Sequence, residues 1–214
     1  GRLGYENTNT LKSPSSYVDL GTEDGTSNGT PWTVKAISAG EESNCVILSN
    51  DRLKCWGLNY HGQCGYGDKN NRGDGSGEMG NNLPFVDLGT EDGTSNGTPW
   101  TVKQVSIQGT HTCVILCNVR VRCSGATSYG KLGLGDPGTN YYIGDAANEM
   151  GNNLPFVDLG TEDGTSNGTP WTVKQIDTGG MHNCVILSND RVKCWGTNTN
   201  GQLGYEDTTQ RGDG

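Results

Sequence analysis

The residues of this 214-residue sequence whose types and spacing could do chemistry are eight cysteines, three Asn-Gly-Thr triplets and three histidines. Six of the cysteines fall into pairs ten apart, Cys45/Cys55, Cys113/Cys123 and Cys184/Cys194. In a hairpin whose loop is Ser49-Asn50-Asp51, residue 45 stands directly across from residue 55. A non-hydrogen-bonded antiparallel pair brings β-carbons to about 4.5–5.5 Å, close to disulfide reach. Closing so short a loop stabilises the fold by roughly 3 kcal/mol in the chain-entropy model. Of the two cysteines left over, Cys64 stands where related segments carry Leu132 and Leu203, and Cys117 where they carry Ser49 and Ser188. By exclusion, Cys64 and Cys117 are expected to bridge one unit to the next. The competing readings are free buried thiols or a zinc site, and zinc finds little support because no Cys-x-x-Cys or Cys/His cluster occurs. Four disulfides imply a secreted or cell-surface chain.

Asn28, Asn96 and Asn167 each head a glycosylation sequon, and the same Asn-Gly step also makes a tight turn. Covalently attached glycans are expected there, with room for O-linked sugar at Ser13-Pro14-Ser15-Ser16. Arg72-Gly73-Asp74 and Arg211-Gly212-Asp213 spell an adhesion tripeptide, but the third equivalent reads Ile143-Gly144-Asp145, so the turn needs Gly-Asp more than Arg. Asp68, Asn70, Asp74 and Glu78 offer oxygens to calcium, yet Arg72 takes a ligand position, which favours solvated turn carboxylates. The sequence carries no serine elbow, His-Glu-x-x-His motif, phosphate-binding loop or isolated reactive cysteine to accompany His61, His111 or His182. The reading is therefore of a non-enzyme, with no cofactor and no metal.

The elements that must position these residues come from a repeat. Asp19–Lys35 recurs letter for letter at Asp87–Lys103 and Asp158–Lys174, so Trp32, Trp100 and Trp171 are equivalent. The longer second step arises in Pro137–Ala147, where loop length is best tolerated. The units run 1–61, 62–129 and 130–200, with 201–214 opening a fourth. Each reads as strands: Trp-Thr-Val-Lys-x-Ile/Val with a bulge near Ala36, Gln104 and Gln175, then the cysteine hairpin, then an extended piece such as Phe85-Val86-Asp87-Leu88. Thirty-five glycines suit tight turns and disfavour helices. The fold class is all-β, three units of short antiparallel strands per chain. No apolar run approaches the ~20 residues that span a bilayer, and no apolar leader opens the chain at Gly1-Arg2-Leu3-Gly4, which reads as a removed leader or an excerpt. Twenty-four acidic against fifteen basic residues leave no basic stripe for nucleic acid.

Gly180-Met181-His182-Asn183-Cys184-Val185, with Val192-Lys193-Cys194-Trp195-Gly196-Thr197-Asn198 and Gly201-Gln202-Leu203-Gly204, resembles a repeat of the regulator-of-chromosome-condensation family, in an extracellular, disulfide-containing form. Ser43 departs from the histidine of His111 and His182, Ser124 from the tryptophan of Trp56 and Trp195, and Thr127 from the asparagine of Asn59 and Asn198. The resemblance implies four-stranded propeller blades, either as an open array or as part of a larger propeller. It also implies a histidine whose ring satisfies turn backbone within its blade. The nuclear, nucleotide-exchange role of the family conflicts with disulfides and an acidic chain. Gly1-Arg2-Leu3-Gly4-Tyr5-Glu6 aligns with Gly201-Gln202-Leu203-Gly204-Tyr205-Glu206, so both ends share one phase of the repeat. The expected function is a structural link of a secreted fibre or surface layer that self-associates head to tail. The alternative is a propeller segment that binds a protein or glycan.

Overall fold

The computed structural model describes residues 2–6, 17–135, 138 and 140–213. The serine cluster at 13–16 lies outside them, as does Pro137. Among the described residues ten strands run in chain order: β1 Val34–Ala39, β2 Ser43–Leu48, β3 Leu53–Gly57, β4 Val102–Gln108, β5 His111–Leu116, β6 Val121–Ala126, β7 Tyr142–Ile143, β8 Val173–Thr178, β9 His182–Leu187 and β10 Val192–Gly196. They form three antiparallel sheets, β1-β2-β3, β4-β5-β6-β7 and β8-β9-β10, one per repeat. The fold is all-β, and the sheets are propeller-like blades.

Only the middle blade has a fourth strand among the described residues. In the first and third blades a single bridge, Gly57 to Arg72 and Gly196 to Arg211, takes its place. The expected strand at Phe85–Leu88 is not one. Val86 donates one backbone hydrogen bond to Leu53, 2.9 Å, and then Asp87 Oδ1 caps Gly89 N at 2.8 Å, which turns the chain into the acidic loop.

Each cysteine hairpin has a three-residue loop whose last residue is left-handed: Asp51 (φ 61°), Val119 (φ 59°) and Asp190 (φ 64°). Aspartate tolerates that conformation, whereas β-branched Val119 adopts it at a cost. The resulting register sets Cys45 opposite Cys55, Cys113 opposite Cys123 and Cys184 opposite Cys194. Between first and second strands the register slips after Val34, Val102 and Val173. The bulge throws Lys35, Lys103 and Lys174 out of the ladder.

Apolar side chains of one blade pack against the next. Ile47, Leu53 and the Cys45–Cys55 pair meet Val102, Val105 and Ile107. Ile115, Val121 and the Cys113–Cys123 pair meet Val173, Ile176 and Leu187. Cations, two of them buried and Lys193 half-buried, fasten the three identical loops to this frame. Lys54 Nζ donates to the carbonyls of Leu20 (2.7 Å) and Gly80 (3.0 Å), Arg122 Nη1 to those of Leu88 and Gly151, and Lys193 Nζ to that of Leu159 (2.6 Å).

Candidate functional site at the blade joints

A short segment of the Gly-x-Leu-Gly type carries each joint. Its second residue presents a backbone carbonyl to the neighbouring blade. The Lys131 carbonyl accepts from Asn183 Nδ2 (2.6 Å) and Trp195 Nε1 (3.0 Å). The Arg2 carbonyl accepts from Trp56 Nε1 (3.1 Å) and Asn44 Nδ2. At the joint between the first two blades, Ser124 has no indole to offer, and the Gln63 carbonyl accepts from Thr112 Oγ1, 2.7 Å. Gly62 (φ 74°) lies on the next blade's Gly144-Asp145 turn, where a β-carbon would come within 2.5 Å of Asp145 N. Gly130 lies likewise on Gly212-Asp213. The Gly-Asp step, which in Arg211-Gly212-Asp213 is that of the adhesion tripeptide, is thus a landing site for the preceding blade. Its arginine is tied down: Arg72 Nη2 pairs with Asp68 at 2.8 Å and its guanidinium covers the Tyr66 ring. Arg211 does the same with Asp207 and Tyr205.

The three hairpin cysteine pairs are disulfides, with S–S distances of 2.07–2.10 Å. Cys64 and Cys117 are free thiols, so the fourth bridge expected by exclusion does not form. Cys64 lies in the core between the first two blades, where burial pushes its pKa up to about 12. Cys117 sits at a hairpin tip with its sulfur 3.6 Å from Glu91. Asn28, Asn96 and Asn167 all lie exposed on the acidic loops. The proposed calcium oxygens are engaged elsewhere: Glu78 Oε2 takes the N–H groups of Gly73, Asp74 and Gly75, and Asp68 takes Arg72.

His111 is buried, and beside the backbone of Gln108 in its own blade its ring also reaches across the joint. Its Nε2 lies 2.8 Å from Asn183 Oδ1 in the next blade. Asn183 Nδ2 is already committed to the Lys131 carbonyl, so its Oδ1 faces the histidine and Nε2–H is the donor. Burial holds this ring neutral, with its pKa lowered to about 4.

A cluster that the sequence reading did not single out lies on the outer rim between the first two blades. Tyr60 and His61 follow β3, Lys69 lies in the loop that leads to Arg72, and Tyr142 and Asp145 belong to β7 and its turn. The rings of Tyr60, His61 and Tyr142 meet edge to face at centroid distances of 5.0–6.3 Å. Lys69 Nζ stands 5.8 Å from the Tyr60 centroid, 5.7 Å from that of Tyr142, and 3.0 Å from Asp145 Oδ2. The hydrogen bond from Lys69 to Asp145 raises the lysine pKa. Burial lowers that of His61, aided by Lys131. The signal in the sequence is repeat divergence. Ser128 and Thr199 stand where Tyr60 does, and Asn71 and Gln210 where Tyr142 does.

The hairpin register, the Trp-Gly-x-Asn run and the inter-blade stitch agree with two matches to the model of the regulator of chromosome condensation (RCC1) repeat, at residues 34–63 and 173–202. Those two segments of the chain are RCC1 repeats. It is 27% identical over 179 residues to the ultraviolet-B receptor UVR8 of Arabidopsis thaliana, covering 83% of this chain and 33% of that one. It is 24% identical to the human X-linked retinitis pigmentosa GTPase regulator, covering 81% of this chain and 14% of that one. The chain therefore spans a third or less of the length of these relatives. Among solved structures, Prp20p of Saccharomyces cerevisiae superposes with a TM-score of 0.55 at 18% identity, over 84% of this chain and 37% of that one, a likeness of fold.

Proposed function

We propose that this run of RCC1-type blades is a protein-binding module, and that the rim cluster between its first two blades is the contact surface. The observation that carries this reading is the divergence of one joint from an otherwise repeated frame. At the two tyrosine places the other repeats carry Ser128 and Thr199, Asn71 and Gln210, yet here Tyr60 and Tyr142 converge on the rim with His61 and Lys69. Tyrosine is enriched where interfaces draw their energy. Three disulfides suit an oxidising, non-cytosolic compartment, and glycans at Asn28, Asn96 and Asn167 would decorate the exposed acidic loops. The test is affinity capture from the native source with the chain and with its Tyr60→Ala variant. A partner retained by the chain and weakened about tenfold by the variant supports the reading. Identical capture by both overturns it.

The fibre reading has one observation of its own. On the first blade Val34 and Ile37 are 46% and 65% exposed, whereas their counterparts Val102 and Val105 are buried at 3% and 7% under the preceding blade. A second copy, or further blades, would cover that face. Light scattering of the native protein separates head-to-tail filaments from a compact closed ring.

A further inference from the structure

The rim cluster has the composition of a cation site, and its occupant belongs to the chain itself. In the first and third blades, the residue three before the turn aspartate is an amide that donates to it: Asn71 Nδ2 to Asp74 Oδ2 at 3.3 Å, and Gln210 Nε2 to Asp213 Oδ2. Tyr142 at that place in the middle blade has no amide to give, so the Asp145 carboxylate is left for another donor. Lys69 supplies one at 3.0 Å, and its ammonium stands within cation–π range of two tyrosine rings. Asp145 is 9% exposed, whereas Lys69 is 51% exposed. The acceptor is built in and the donor hangs from a solvated chain. An ion pair whose cation is half exposed contributes little to folding, so stability alone does not account for two tyrosine rings gathered around the ammonium.

We propose that Tyr60, His61, Tyr142 and Asp145 form a binding site for an alkylammonium group, filled at rest by Lys69 and opened to a lysine side chain of a partner protein when Lys69 swings away. This deepens the protein-binding reading and rests on it. The aromatic faces favour a cation, the carboxylate fixes its position, and the tethered lysine sets a threshold that an incoming lysine must exceed. A tethered competitor acts at an effective concentration in the millimolar range or above, so removing it strengthens apparent affinity for a weak ligand several-fold to tenfold.

The probe is the tripeptide Gly-Lys-Gly, titrated by tyrosine fluorescence or NMR against the intact chain, with tetramethylammonium chloride as a second probe. Lys69→Ala is expected to bind the tripeptide about tenfold more tightly than the unmodified chain. Adding Asp145→Asn to Lys69→Ala is expected to cancel that gain. Should Asp145→Asn perturb the turn, Tyr60→Ala in the same background, at a largely exposed ring, is expected to do likewise. Equal affinity of the unmodified chain and Lys69→Ala overturns the proposal. So does a Lys69→Ala variant whose affinity survives both further changes. Tetramethylammonium binding more tightly than the tripeptide would overturn the assignment to a protein side chain in favour of a small quaternary ion. If Lys69→Ala gains nothing while Tyr60→Ala still abolishes capture of a native partner, the ammonium site fails and the binding module stands.

Discussion

The joint between the second and third blades is knitted from within, and the joint between the first and second is dressed on its rim. At the inner edge of the former, Gln104 Nε2 donates to the Ile176 carbonyl (2.7 Å) while Ile176 N–H donates back to Gln104 Oε1 (3.1 Å). Thr178 N–H donates to Ser106 Oγ at 3.0 Å, and His111 joins Asn183 in the interior. The first joint has Ala36 in place of Gln104 and Ser43 in place of His111, and one such contact, Ile107 N–H to Ser38 Oγ at 3.0 Å. Its distinctive residues lie outside, where Tyr60, Lys69 and Tyr142 meet. The same backbone joint thus accommodates two arrangements of side chains, one that holds blades together and one that gathers rings and charge on the rim.

The largest expected effect tests whether the two joints share the same hairpin foundation. Cys45→Ser with Cys55→Ser, and Cys113→Ser with Cys123→Ser, should each cost about 3 kcal/mol in urea unfolding. A marked inequality would show that one joint leans on its disulfide more than the other.

Acid should then separate the joints. The pKa of His111 is about 4 in the folded chain and about 6.5 unfolded. Between those values the unfolded chain binds the extra proton, so stability falls as pH drops from 6.5 towards 4 and levels off below. The ceiling on this contribution is about 3 kcal/mol, from about 1.4 kcal/mol per pH unit. His111→Gln should flatten that part of the pH profile, and an unchanged slope would remove His111 from the account.

Gln104→Ala should cost about 1–2 kcal/mol, through the loss of two hydrogen bonds to Ile176. Ala36→Gln should move the first joint towards the second by at most about 1 kcal/mol, read as a shift in the urea midpoint. The smallest effect concerns the free thiols. With Ellman's reagent, Cys117 of the native chain should react and Cys64 should wait for unfolding, because burial holds the Cys64 thiol protonated. Cys64→Leu, which copies Leu132 of the second joint, should leave stability nearly unchanged.

Legibility in the sequence followed locality. The cysteine hairpins and their bulges could be read because strand alternation and a three-residue loop fix which residues face each other within fifteen positions. The pairing of Cys64 with Cys117 was reached by counting, and counting ignores place: one faces an inter-blade core, the other tips a hairpin. The fourth strand shrank to a bridge in two blades, a difference that local propensity in Asn71-Arg72 and Gln210-Arg211 does not announce. The rim cluster joins residue 69 to residue 145, and only the packing of successive blades brings them together. What the sequence did display was the departure of Tyr60 and Tyr142 from their counterparts, a departure with no partner visible until the blades were placed.

The stitch between blades is made by a main-chain carbonyl, and the acceptor is the same oxygen whether Arg2, Gln63 or Lys131 bears it and whichever side chain donates. A gene that duplicates or drops a whole unit therefore need not retune the neighbours on either side, since every newcomer presents the same oxygen. Three letter-for-letter copies of a seventeen-residue block are what such copying leaves behind, and the rim, free of the stitch, is where each copy can acquire an address of its own.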